Sequence, residues 1–351
     1  MSKPDNKDLS RRNLLQLATG LGAAGALLAD EAQGATAPAA GAIAAKPAKP
    51  AAAKIKFNNT FNFMDPEWNR DAYCRLQGDL NTTKTRFGWL GGPVMAVVPG
   101  EKVKPLFWME GFSACRLIPY ENKVSDTVTE KGFRKLLREV VVYRQWTPKG
   151  PGPILETWDN PYTGETVRVV PIMNDPFNYN ITQFYPDPPS FGGLNTEKPP
   201  KIPLILPWSL KGDMLHLTTD IHLYYPNALQ PDKWPRESSG AMVQVSELYR
   251  YYINSKDMKN PNLTQVACSG CWSRVTPWLP WMLMGTRPGH TLYMVDFMGA
   301  DDPGHMSPEL RAWIDSTEER ARFLTAPDSD YGPSLSSLEN YAKTQKPAPA
   351  K

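Results

Sequence analysis

Leu136-Leu137-Arg138-Glu139-Val140-Val141-Val142-Tyr143-Arg144 decides the fold class of this chain. Leu137, Glu139, Val141 and Tyr143 alternate with Arg138, Val140, Val142 and Arg144, and a period of two in β-branched and aromatic residues is a strand signal. Downstream, Ile154–Trp158 and Glu165–Ile172 flank Asp159-Asn160-Pro161-Tyr162-Thr163-Gly164, whose Asn-Pro and Thr-Gly steps are turn chemistry. Residues 136–172 therefore predict an antiparallel meander.

Working outward, Gly88–Val98, Lys104–Glu110 and Phe112–Ile118 read as further strands, separated by Pro99-Gly100 and Gly111. Met214–Tyr225 and Thr291–Met298 read likewise. Asp65-Pro66-Glu67 starts a helix with a capping carboxylate, proline in the first turn and an acid behind it; Gly78 ends it. Ala241–Asn254 predicts a helix, with Val245, Leu248, Tyr249 and Tyr252 on one face. Ser307-Pro308-Glu309 opens a last helix that runs through Leu324. Prolines number 35 in 351 residues, about twice the usual share, which favours short strands with stiff connections over a helical bundle. The predicted fold is mainly β: an antiparallel barrel or strongly curved sheet with about three peripheral helices. Barrels of this kind enclose one small ligand.

Ser10-Arg11-Arg12-Asn13-Leu14-Leu15 resembles the twin-arginine export motif, and the mildly apolar run Leu14–Ala29 is shorter than the about 20 residues of a membrane span. Ala32-Gln33-Gly34 supplies a small-residue exit. These features predict a signal peptide over 1–34, recognition by the twin-arginine export machinery, a periplasmic location and no stable span in the mature protein. Residues 35–54 are almost all Ala, Pro, Lys, Gly and Thr and predict a disordered linker. A single β-rich domain is expected over 55–330, with a flexible C-terminal tail over 331–351.

The net charge of +3, without a long basic cluster, argues against nucleic acid as a partner. No Gly-x-Gly-x-x-Gly follows a strand, and no Walker loop, Gly-x-Ser-x-Gly elbow or His-Glu-x-x-His is present. Neither cofactor nor metal is expected. Cys268-Ser-Gly-Cys271 has redox or metal spacing but lacks a second such pair, so a disulfide or buried thiols are the simpler readings.

Trp272-Ser-Arg-Val-Thr-Pro-Trp-Leu-Pro-Trp-Met-Leu-Met-Gly285 carries Trp272, Trp278 and Trp281 around a single cation, Arg274. Pro277 and Pro280 forbid a regular helix or a central strand across it, predicting a stiff extended segment that plugs a core or walls a pocket. Arg274 there either holds a carboxylate, phenolate or enolate, or pairs with a core acid such as Glu139 or Glu156. In Met214–Tyr225, period two puts His216, Asp220 and His222 on one polar face. They form either an acid–base site, with Asp220 orienting His222, or a solvated sheet face. Asp175, in Asn174-Asp175-Pro176-Phe177-Asn178, sits where a strand opens into a loop, a place for chemistry or for an Asx turn. Trp158 completes the aromatic candidates for ligand contact, with His216 beside them.

Four of these segments together resemble a family of bacterial and fungal proteins known as domain of unknown function 1838. They are Arg138–Tyr143, Trp158–Glu165, Asn174–Asn178 and Trp272–Gly285, and the resemblance spans most of residues 75–315. It implies one coherent domain and carries no catalytic residue with it. The function expected from the residues is conversion of a small hydrophobic or aromatic molecule by acid–base chemistry without a nucleotide cofactor, of hydrolase, lyase or isomerase type. The alternative is a binding protein using the same pocket.

Overall fold

The central strand quoted above extends to β3 (Thr129–Thr147), and in a computed structural model covering residues 60–186, 200–332 and 334–349 it is buried on both faces. The predicted signal peptide and linker lie outside the described residues. β1 (Arg86–Val97) and β2 (Lys104–Lys123) precede β3, and all three pair antiparallel with short connections. Gly111 does not break β2 as the sequence reading expected. It lies inside one continuous strand, where a Cβ would come within 2.9 Å of the Leu90 side chain and 3.1 Å of that of Val141, so the glycine leaves room for these two cross-strand neighbours.

After β3 the chain makes a series of short strands: β4 (Gly150–Ile154), β5 (Thr157–Asp159), β6 (Thr166–Arg168), β7 (Ile172–Asn174) and β8 (Tyr179–Thr182). β5 and β6 form their own hairpin; β4, β7 and β8 all pair with the outer edge of β3. The other half of the sheet comes from β9 (Trp208–Lys211), β10 (Met214–Pro226), β11 (Met242–Asn254), β12 (Cys268–Thr276) and β13 (His290–Ala300). The path is β4-β3-β2-β1-β13-β12-β11-β10-β9, antiparallel throughout.

No closed barrel forms among the described residues. Where its last pairing would be, the helix α1 (Pro66–Gln77) is inserted instead. Gln77 at its end accepts hydrogen bonds from Lys135 of β3 (3.1 Å) and Tyr179 of β8 (3.2 Å) and donates to Tyr251 of β11 (3.1 Å). β3 and β11 are five positions apart, about 24 Å in a flat sheet. Side chains stand roughly perpendicular to a sheet, so one glutamine bridges these strands only because the sheet curls strongly. Asn69 of α1 binds the far side, its Oδ1 accepting from Leu206 N (2.9 Å) and Trp208 Nε1 (2.8 Å).

The predicted helix over 241–254 is β11. Val243, Val245, Glu247, Tyr249, Tyr251 and Ile253 point inward in strict alternation, whereas Leu248, counted towards the helical stripe, is 46% exposed. Trp272–Gly285 is likewise divided. Its first part is the central strand β12, which stops at Thr276 immediately before Pro277. Beyond lies a tight 3-10 turn, Pro280–Met282, leaving through Leu283 and Gly285 at φ near +54°.

Among the described residues there are five helices: α1, α2 (Ser255–Lys259), α3 (Pro308–Asp315), α4 (Glu318–Ala321) and α5 (Ser337–Thr344). The last predicted helix breaks at Ser316, so α3 and α4 are separate pieces. With the turn Arg322–Leu324, they cover the convex side of β2 and β3, where Leu310, Ile314 and Phe323 pack on Phe112, Ala114, Val140 and Val142. Residues 331–349, expected as a flexible tail, include α5, which opens with a full capping box between Ser336 and Glu339. Among the described residues no helix is long and apolar enough to cross a membrane.

Candidate functional site

The concave face holds a cavity of about 860 Å³. β3 supplies Glu139, Val141 and Tyr143 to its wall; β12 supplies Trp272 and Arg274; β10 and β13 supply Tyr225 and Tyr293. Period two in each strand makes every second residue face inward, so a charged residue among these positions is carried into the interior by the backbone. Trp278 and Trp281 follow from the turn after β12, and α5 contributes Leu338, Asn340 and Tyr341.

Charge in this interior is organised around Arg274. It is the register partner of Glu247 on β11, and its Nε lies 3.5 Å from Glu247 Oε1. Glu247 Oε2 accepts from Tyr249 Oη and from Trp272 Nε1 at 3.0 Å. Burial raises the Glu247 pKa, against the pull of Arg274 and these two donors. Glu139 is 3% exposed, and its Oε1 accepts from Asn174 Nδ2 at 3.3 Å. Desolvation pushes its carboxyl up to about 7, with Asn174, Lys135 and Arg274 drawing it down and Glu247 adding to the rise. Tyr293 is pushed up to about 12, again chiefly by burial.

Several polar atoms on this wall have no hydrogen-bond partner among the described residues: Glu139 Oε2, Tyr225 Oη, Arg274 Nε and Trp281 Nε1. Buried polar atoms left open are rare and call for an explanation. Two other buried acids are fully satisfied, whereas Asp79 Oδ2, Glu237 Oε2 and Glu247 Oε1 are also open among the described residues. Glu110 takes Trp89 Nε1 (3.1 Å), Ser307 N (3.0 Å), Ser307 Oγ (2.7 Å) and Arg144 (2.8 Å). Asp175 is held by Arg138 (2.9 Å), Arg322 (3.1 Å) and Tyr331. The four open atoms named above belong to the cavity wall; others, such as Asp79 Oδ2 and Thr219 Oγ1, lie elsewhere.

The expected aromatic residues divide by role. Trp272 is committed to Glu247, and Trp278 donates to Arg287 O (3.0 Å). Trp281 packs between Phe107, Tyr143 and Trp158. Trp158 supports Trp281 from β5. Asp175 lines the cavity but its carboxylate is saturated, so it fixes the loop after β7.

The histidine site is not assembled there. His222 and Asp220 do form a pair, 3.1 Å apart, but their side chains are 56% and 42% exposed on the outer face of β10. The inward set of that strand is Leu215, Leu217, Thr219, Ile221 and Leu223. His216 is on the same outer face, edge-on to Tyr252. Alternation correctly groups the three residues, and the physical reason they face water is that the other set is the apolar one. Cys268 is buried and Cys271 exposed, on opposite faces of β12, so this pair forms no disulfide and cannot share an ion.

Sequence reading considered Glu139 as a core partner for Arg274 and did not consider Glu247. The signal was present: each is the one acid in an inward-facing alternation of apolar and aromatic residues.

The segments singled out in the sequence meet around this cavity. Asn160 donates to Met282 O at 2.7 Å, docking the β5–β6 turn on the Pro280–Met282 turn. Asn174 touches Glu139, and Trp272–Trp281 forms the opposite wall. No curated protein matches the chain. The family model described as "Protein of unknown function (DUF1838)" matches residues 83–345, which contain every wall residue named above, and the chain belongs to that family.

Proposed function

We propose that this protein converts a small aromatic or polycyclic molecule carrying a hydroxyl or carbonyl group, by proton transfer at Glu139. The observation carrying this reading is the convergence on one cavity of Glu139 Oε2 and Tyr225 Oη, both without a hydrogen-bond partner among the described residues, with the Arg274–Glu247 ion pair and the Trp281 indole. A carboxyl whose pKa lies near neutrality gives and takes protons at comparable cost, as a general acid–base must. Arg274 and the Trp281 N–H suit an oxygen on which negative charge develops. Because Glu247 already balances Arg274, a ligand arriving as a carboxylate competes with Glu247 for that cation; a neutral oxygen does not. The chemistry is of lyase, isomerase or hydrolase type and uses no nucleotide cofactor.

The twin-arginine-like residues Ser10–Leu15 support action in the periplasm after export through that pathway. The runner-up is a binding protein, favoured by a wall in which apolar and aromatic residues together outnumber charged ones. Mass spectrometry of a panel of phenols, aromatic ketones and lactones, incubated with wild type and Glu139→Gln, separates the two. Conversion by wild type and binding without conversion by the variant supports the enzyme. Equal binding with no conversion by either supports the carrier.

A further inference from the structure

The C-terminal helix reaches the candidate acid through two amides. Asn340 Nδ2 on α5 donates to Asn174 Oδ1 at 2.8 Å, and Asn174 Nδ2 donates to Glu139 Oε1 at 3.3 Å. An amide presents N–H on one side and carbonyl on the other, so fixing one side decides what the other offers. With its oxygen held by Asn340, Asn174 can show Glu139 only its N–H, which favours the carboxylate. Were the amide turned over, its carbonyl would face Glu139 and favour the protonated acid.

We propose that Asn340 is a positioning residue: by fixing the Asn174 amide it sets the proton held on Glu139, and so couples seating of the C-terminal helix to readiness of the site. The inference rests on Glu139 being the proton-transfer group. α5 is seated by contacts away from the acid: Tyr341 edge-on to Trp234 at 5.8 Å, and Ala348 N donating to Glu237 Oε1 at 2.6 Å. Leu338, Asn340 and Tyr341 also line the cavity, so the helix that covers it carries the residue that primes it. The charged groups acting on Glu139 are Lys135 on its own strand, Arg274 on β12 and Glu247 on β11, with the Tyr179 hydroxyl on β8. None belongs to α5, so the helix acts on Glu139 through the amide pair.

The test is a pH titration by NMR of protein carrying 13C-labelled glutamate side chains, with the Glu139 signal identified by its loss in Glu139→Gln. It needs no substrate. Asn340→Ala should raise the Glu139 midpoint by about half a unit or more, because the amide is released. Asn340→Gln, which keeps a donor, should return it towards wild type. In an Asn174→Ala background, Asn340→Ala should leave the midpoint where it was. A midpoint unmoved by Asn340→Ala in otherwise wild-type protein, or a rise that persists without Asn174, overturns the proposal. Alanine favours helix, and the spectrum itself reports whether the variant is folded. If Asn340 moves the midpoint but Glu139→Gln still turns over substrate, the coupling stands and the catalytic reading of Glu139 is what fails.

Discussion

Arg274 and Glu247 are register partners on adjacent central strands, and each is the principal charged neighbour of the other inside the sheet. Breaking such a pair from one side costs about 3–5 kcal/mol, because the remaining charge is buried alone. Arg274→Met should therefore shift the urea midpoint down strongly. Adding Glu247→Gln should recover most of the loss, since no ionised group is then stranded. If the double variant is as unstable as the single one, the arginine is needed for its packing and not for its charge.

Glu139 should leave a signature in the pH dependence of stability. Its folded pKa of about 7 lies above the ordinary carboxyl value, so the folded state holds the proton more tightly than the unfolded state. Its stabilising contribution is complete below about pH 4.5 and is lost as pH rises to about 7, amounting to about 3 kcal/mol. Glu139→Gln should be more stable than wild type by up to that amount at pH 8, and close to it at pH 4.5. Denaturation midpoints of both proteins across that range check this, and a constant difference would refute it.

His222→Ala should change stability by less than about 0.5 kcal/mol, as for other exposed sites away from caps and cores. It should also leave any binding or turnover at the cavity intact. Loss of turnover in a folded His222→Ala protein would return the chemistry to the outer face of β10.

β3 carries apolar residues on both sides, with Val140 fully buried beneath α3 and Val141 3% exposed on the cavity side. Val140→Asp should cost several kcal/mol, because the packed helices leave the carboxylate no partner. Val141→Asp should cost less, since the cavity beside it can admit water. Thermal melts of the two variants rank them, and the opposite order would mean that the helices pack loosely on the convex face.

Much of this architecture was legible in local patterns. Alternation in 214–225 placed a strand correctly because its two faces differ in polarity, and the β-branched and aromatic run in 136–144 did so although both faces are buried. Alternation failed for β11 because Val245, Leu248, Tyr249 and Tyr252 fit a helical period while Val243, Val245, Tyr249 and Tyr251 fit a strand's, and only pairing with β10 and β12 decides between them. Prolines 277 and 280 marked where β12 ends but could not show that Trp272 and Arg274 lie before the break. The role of α5 was hidden because its sequence resembles a tail. Its order comes from distant partners, Trp234, Asn174 and Glu237, which no local window contains. Barrel closure was illegible for the same reason, since what prevents it is the insertion of α1.

The cavity's charged floor and its roof belong to different kinds of structure. Arg274, Glu247 and Glu139 sit in long strands whose register fixes them from both sides, whereas the cover consists of short edge strands and the chain's last helix. Lengthening or trimming residues 150–182 or 334–349 would resize the entrance without shifting the floor. The repertoire of accepted molecules can thus drift while the reactive constellation stays put, and a graft of the roof from one relative to another that keeps Asn174 and Asn340 should carry over selectivity and leave the reaction unchanged.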